Sequence, residues 1–203
     1  MRNIIIMRSF IFLNRKIRRL LLLLVTIFLC VRMMGETIIP DSISNPIRTG
    51  FHPDPSICRV GEDYYLVTSS FTWFPGLPIY HSRDLTNWSL IGHALTNPKA
   101  IDFNGMTDND GIWAPTLRYH NGTFYLITTA HGCGGNFYMT AKNPAGPWSD
   151  PVWLKDAPGI DPSLFFDEDG RCYYTGNRWD FKSAWPAQCA VWMQELDLQK
   201  RCL

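Results

Sequence analysis

The chain is 203 residues long, 46% hydrophobic and 14% aromatic, enough apolar material for a domain with its own core and too much for a disordered segment. Its 19 basic and 18 acidic residues leave a net charge of +1, so it lacks the basic excess of a nucleic-acid-binding protein. Cysteines at 30, 58, 133, 172, 189 and 202 form no C-x-x-C pair and no Cys/His spacing, which argues against a zinc module or a disulfide-dense scaffold and predicts mostly buried thiols; no metal or cofactor is expected.

Residues 1–35 carry basic residues from Arg15 to Arg19, an apolar run LLLLLVTIFLC from Leu20 to Cys30, and then Arg32. Such a run falls short of the roughly 18 residues that span a bilayer, so the segment reads as an export signal, retained as an anchor or removed. The protein is expected outside the cytoplasm, in a periplasm or beyond, with this segment its sole tie to a membrane. Residues 36–44 read as a polar connector.

From residue 45 to 203 the chain alternates short runs of Tyr, Val, Ile, Thr and Phe with Gly, Asn, Asp and Pro, and shows no helical stripe, which predicts an all-β fold. The runs repeat. DPSICRVGEDYYLVTSS from Asp54, APTLRYHNGTFYLITTA from Ala114 and DPSLFFDEDGRCYYTGN from Asp161 each give a proline, a strand, a tight turn and an aromatic strand. The turns, Gly61-Glu62-Asp63, Asn121-Gly122 and Asp169-Gly170, are hairpin chemistry. The first two copies continue to a Trp-Ser step at Trp88 and Trp148, so each unit holds about four strands, and the starts are spaced by 60 and 47 residues. This is the pattern of β-propeller blades. Two blades and most of a third are fewer than the roughly four to eight that close a ring, so the expectation is a truncated propeller.

In a propeller the first strand of each blade lines the axis, so the residues before the repeated proline, Asp54, Ala114 and Asp161, should surround one pocket. Prolines on both sides of Asp54 should hold it in extended geometry. The two carboxylates either serve a ligand or close Asx turns on nearby backbone N–H groups. Phe51, Phe71, Trp73 and Phe74, with Trp113 and Trp179, crowd the same blade ends. Aromatic faces beside carboxylates suit a carbohydrate.

The stretches NPIRTGFHPDPSICRVGEDYYLVTSSFTWFPGLPIYHSRDLTNWSLIGHAL, DGIWAPTLRYHNGTFYLI and GIDPSLFFDEDGRCYYTGNRWD closely resemble glycoside hydrolase family 43, particularly its β-xylosidase branch. The resemblance implies a five-bladed propeller that hydrolyses xylan-derived oligosaccharides or arabinoxylan with inversion, as a β-1,4-xylosidase or an α-L-arabinofuranosidase. It implies that Asp54 is the general base and that Asp161 tunes and orients the general acid. It places Phe71, Trp113, Ala114 and Trp179 around the terminal sugar. An inverting acid and base stand roughly 6.5–9.5 Å apart to admit a water, a gap that blades across an axial pocket can supply.

The family's acid is a glutamate in a Glu-Gly-Pro-type motif, and none of Glu36, Glu62, Glu168 and Glu195 precedes Gly-Pro. Glu195 reads as a rim or solvent residue. The chain is therefore expected to be nearly inactive alone, and a non-catalytic carbohydrate-binding remnant is the competing reading. Asp108-Asn109-Asp110-Gly111 reads as a polar turn rather than a calcium loop. Asn87-Trp88-Ser89 and Asn121-Gly122-Thr123 match glycosylation sequons but sit at repeated strand-turn positions, where structure explains them.

Overall fold

The computed structural model describes residues 15–33, 42–179 and 182–203, and the chain divides into two compact units, Met1–Ile38 and Ile39–Leu203. The first unit holds one helix, α1 (Arg15–Met33), which takes in the basic lead and the apolar run. Inside it, the Thr26 hydroxyl donates to the Leu22 carbonyl at 2.7 Å, keeping a polar side chain satisfied within the helix. Among the described residues no helix is long and apolar enough to cross a membrane. The start of the expected export segment and most of the connector at 36–44 lie outside the described residues.

The second unit is built from three antiparallel sheets that follow chain order. The first contains β1 (Ser56–Val60), β2 (Asp63–Val67), β3 (Gly76–Ser82) and β4 (Ser89–Leu95). The second contains β5 (Gly111–His120), β6 (Thr123–His131), β7 (Gly135–Ala141) and β8 (Val152–Trp153). The third contains β9 (Ile160–Phe166), β10 (Cys172–Arg178) and β11 (Ala190–Glu195). These are the two blades and most of a third that the repeats predict. The turns behave as their residues require: Asn121 and Gly122 have φ of 46° and 73°, the left-handed pair of a tight hairpin, and His120 faces Thr123 across them.

Strand periodicity explains how the blades stack. In β6, Leu126 points into a core shared with Val67, Ile79 and Phe137, while the next residue, Ile127, points into a second core with Leu164, Tyr174 and Leu196. The middle blade is therefore covered on both faces, and β6 is buried without a break from Leu126 to Ala130, its Thr128 and Thr129 included. In β11, by contrast, Val191 and Met193 stand exposed while Trp192 packs inward. Each fully buried Leu, Ile or Phe contributes about 1.5–3 kcal/mol, so the two interblade cores hold the unit together.

The cysteine expectation needs correcting in part. Cys58 and Cys172 are buried, and burial raises both thiols, Cys172 to about 12, which leaves them protonated and unreactive. Cys189 is exposed, and Cys133 and Cys202 are half-buried, because they sit on connections or past the last strand rather than on a core face. The sequon at Asn87 is structural: Asp84 accepts from the Asn87 and Thr86 backbone N–H groups at 2.7 and 2.9 Å and from the Asn87 amide at 2.7 Å. These bonds, the Asn87 backbone first, hold the Asp84 carboxyl well below its ordinary value.

Candidate active site

The first strands of the three blades lie side by side. The Leu117 N–H of β5 donates to the Ser56 hydroxyl of β1 at 3.1 Å. Arg118 of β5 reaches β9, donating to the Leu164 carbonyl and the Ser163 hydroxyl, both at 3.0 Å. At the repeated position before the proline, Asp54, Ala114 and Asp161 have φ of 52°, 35° and 56°. This corrects the expectation of extended geometry. The tertiary frame overrides the local preference: the Ser69 N–H donates to the Pro53 carbonyl at 3.1 Å, and the β5–β6 register shifts between Trp113 and Thr116, a bulge that re-aims Ala114. Left-handed geometry costs an L-residue roughly 1–2 kcal/mol, and such strain gathers where side-chain direction matters.

The three positions meet as predicted. Asp54, Ala114 and Asp161, with Thr116 and Arg118, line one open cavity of about 420 Å³. The Asp161 carboxyl is raised above its ordinary value, first by the protein atoms packed around it and then by the negative charge of Asp54, so the two carboxylates share one site. Together they can accept hydrogen bonds from hydroxyls or from a water.

Sequence reasoning missed the residue that holds Asp54. The buried Ser69 hydroxyl donates to Asp54 Oδ2 at 2.6 Å and accepts from the Ala114 N–H at 2.7 Å. One hydroxyl thus ties the first two repeat positions together. Ser69→Ala leaves the Ala114 N–H without its partner and frees the carboxylate; a loss of about 1–3 kcal/mol is expected, read as a lowered denaturant midpoint at unchanged m-value. A variant as stable as the wild type would show that water replaces the bridge.

The aromatics divide. Phe51, Phe71 and Trp73 border a second cavity of about 220 Å³, to which Ser69, Tyr80 and His93 also contribute. The Phe51 and Phe71 rings stack at 5.9 Å, and burial lowers the His93 imidazole below its ordinary value. Phe71 is pinned to β5 by mutual hydrogen bonds with Ile112, both at 3.0 Å. Gly111 (φ 91°) permits this approach, since a Cβ there would lie 2.4 Å from the Phe71 carbonyl oxygen. Trp113 and Trp179 border neither cavity. Trp113 instead lies flat on His131, and Trp179 is exposed just past β10.

Among the described residues no group of three or more His, Cys, Asp or Glu side chains is placed to hold a metal ion. Asp110 is engaged in a polar turn, accepting from the Thr107 backbone and hydroxyl at 2.9 and 2.8 Å. Glu195 is exposed at the end of β11, as a rim residue should be.

Comparison with known proteins places these features in a family. The family described as glycosyl hydrolases family 43 matches residues 43–202. A xylosidase/arabinosidase of Butyrivibrio fibrisolvens is 52% identical over 164 residues, covering 77% of this chain and 31% of that protein. A non-reducing end alpha-L-arabinofuranosidase, BoGH43B, of Bacteroides ovatus is 53% identical over 160 residues, covering 77% of this chain and 29% of that protein. The crystal structure of a xylan beta-1,4-xylosidase from Bacillus halodurans superposes with a TM-score of 0.73 at 46% identity, over 79% of this chain and 32% of that one. The chain spans under a third of the length of the curated relatives it matches.

Proposed function

The chain belongs to glycosyl hydrolases family 43, and from that premise we propose that it supplies the base side of the active site of an exo-acting, inverting β-1,4-xylosidase. The observation that carries the reading is the convergence of Asp54 and Asp161, at equivalent strained positions of different blades, on one axial cavity. In this reading Asp54, held by Ser69, takes a proton from the water that attacks the anomeric carbon. The C–O bond to the leaving group breaks as the new one forms, and a general acid protonates the departing oxygen. Asp161 places a second negative charge beside that acid, raising its pKa so that it stays protonated until needed.

None of the glutamates at 36, 62, 168 and 195 stands before Gly-Pro, so these residues supply base and modulator without a recognised acid. Protonation of the leaving group commonly contributes about 10²–10⁴-fold. The 203-residue chain is therefore expected to bind xylobiose in calorimetry while hydrolysing it slower than a complete relative by a factor of that order. Turnover equal to the relative's would mean that an acid lies within these residues. Absence of xylobiose binding would remove the support for a sugar site in this chain.

A further inference from the structure

Asp54 and Asp161 are aimed by different means. The Asp54 carboxylate is held by the Ser69 hydroxyl, whereas the Asp161 carboxylate has no hydrogen-bond partner among the described residues. Its direction is therefore set by the backbone that carries it, at φ 56°, and blade two grips that backbone on both sides. After Asp161, Arg118 donates to the Ser163 hydroxyl and the Leu164 carbonyl. Before it, the Asn136 side-chain amide donates to the Ala157 and Gly159 carbonyls at 2.8 and 3.1 Å. The loop so held also lies against β10, since a Cβ at Gly159 (φ 93°) would overlap the Asn177 carbonyl.

Asn136 is itself held. It is 2% exposed and stands opposite Thr129 in the β6–β7 register, and the buried Thr129 hydroxyl donates to Asn136 Oδ1 at 2.6 Å. With its oxygen and both N–H groups engaged, the buried amide is kept in one orientation; removing the hydroxyl leaves that oxygen unpaired and the orientation loose. The blade repeat assigns the same task to this position. Thr129 follows Ala114 by the interval that separates Ser69 from Asp54. Ser69 reaches forward to the Ala114 N–H of the next blade, and Thr129 reaches forward through Asn136 to the loop that enters β9 at Asp161.

We propose that Thr129 and Asn136 are positioning residues that hold Asp161 in place at the axial cavity, and that they thereby set the affinity of the cavity for a pentoside. The ligand rests on the xylosidase reading; the positioning of Asp161 does not.

The test is a titration with xylobiose of the full chain labelled with ¹³C in its aspartate carboxyls, the Asp161 and Asp84 signals being assigned by their loss in Asp161→Asn and Asp84→Asn. In the wild type the Asp161 signal shifts on addition of sugar. Thr129→Val, which keeps the shape and removes the hydroxyl, is expected to move or broaden that signal before any sugar is added and to lower affinity about tenfold, while the Asp84 signal of blade one stays in place. Thr129→Ser, which keeps the hydroxyl, is expected to match the wild type in both, and Asn136→Ala to act in the direction of Thr129→Val. Should Asn136→Ala fail to fold, the two Thr129 variants decide. An Asp161 signal unmoved in Thr129→Val overturns the positioning, even where stability or affinity has fallen. Movement of Asp84 along with Asp161 overturns it too, because the variant would then loosen the whole unit, and so does a Thr129→Ser chain that behaves like Thr129→Val. Full affinity in Thr129→Val with a moved Asp161 signal overturns the link to the sugar while leaving the xylosidase reading intact. If the wild type binds no xylobiose, that link falls with the reading, and the sugar-free Asp161 signal alone decides the positioning.

Discussion

Asp54→Ala, made in a chimera in which residues 43–202 replace the matching segment of the xylosidase/arabinosidase relative, is expected to lower kcat on xylobiose by about 10²–10⁴-fold with little change in KM. The chimera isolates what these residues contribute, because the remainder of the fold is supplied by a protein 52% identical over the exchanged region. Asp54 has the attributes a base needs. It accepts a hydrogen bond from Ser69 Oγ, 2.6 Å away, and stands in an open cavity that admits water. Removing the carboxylate leaves the water in place and takes away the acceptor for its proton, an interaction that matters most in the transition state. A loss of less than tenfold, or a loss confined to KM, would make Asp54 a binding residue and would favour the carbohydrate-binding reading. Circular dichroism on the same variant separates chemistry from folding, since alanine at φ 52° is strained as well.

Much of this arrangement is legible in the sequence, for a physical reason. A repeated strand and turn must be repeated in residues, so the x-Pro-Ser/Thr starts at 54, 114 and 161 mark the axial strands β1, β5 and β9. Symmetry then brings Asp54, Ala114 and Asp161 together without any knowledge of side-chain contacts. What symmetry cannot supply is the link between blades. Ser69 lies 45 residues from Ala114, whose N–H it caps, and nothing local distinguishes it from Ser70, whose hydroxyl accepts from the Leu77 N–H inside the same blade. The available signal is that its repeat equivalents, Thr129 and Asn177, are polar too. Arg118 was hidden in the same way, as its partners Ser163 and Leu164 lie on the next blade. The blade repeat puts Trp113 and Phe71 at the same end of neighbouring blades, but it does not show where each ring points: the bulge after Trp113 and its bond to Asn109 set the indole against His131 of β6.

Asp161→Asn provides the second large effect, with two readouts of opposite sign. In the chimera, removing the charge beside the acid lowers that acid's pKa, so the alkaline limb of the pH–rate profile should move to lower pH and kcat near neutrality should fall about 10²-fold. Stability should respond the other way. Burial and the Asp54 charge raise the Asp161 carboxyl in the folded protein, so between its ordinary and raised values the folded state holds a proton that the unfolded chain has released. Stability from this group is full below about pH 4, the ordinary carboxylate value, and is lost as pH climbs through the raised one. Asparagine abolishes that decline, so the variant should gain on the wild type as pH rises through the window and keep its advantage at neutrality. Asp84 runs in the opposite direction, its lowered carboxyl losing stability as pH falls, but it is present in both proteins and cancels in the difference. A wild type and variant whose unfolding midpoints track each other across the range would mean that Asp161 feels no burden from Asp54. The two carboxylates would then not share a site, and the argument for a paired catalytic centre would lose its electrostatic support.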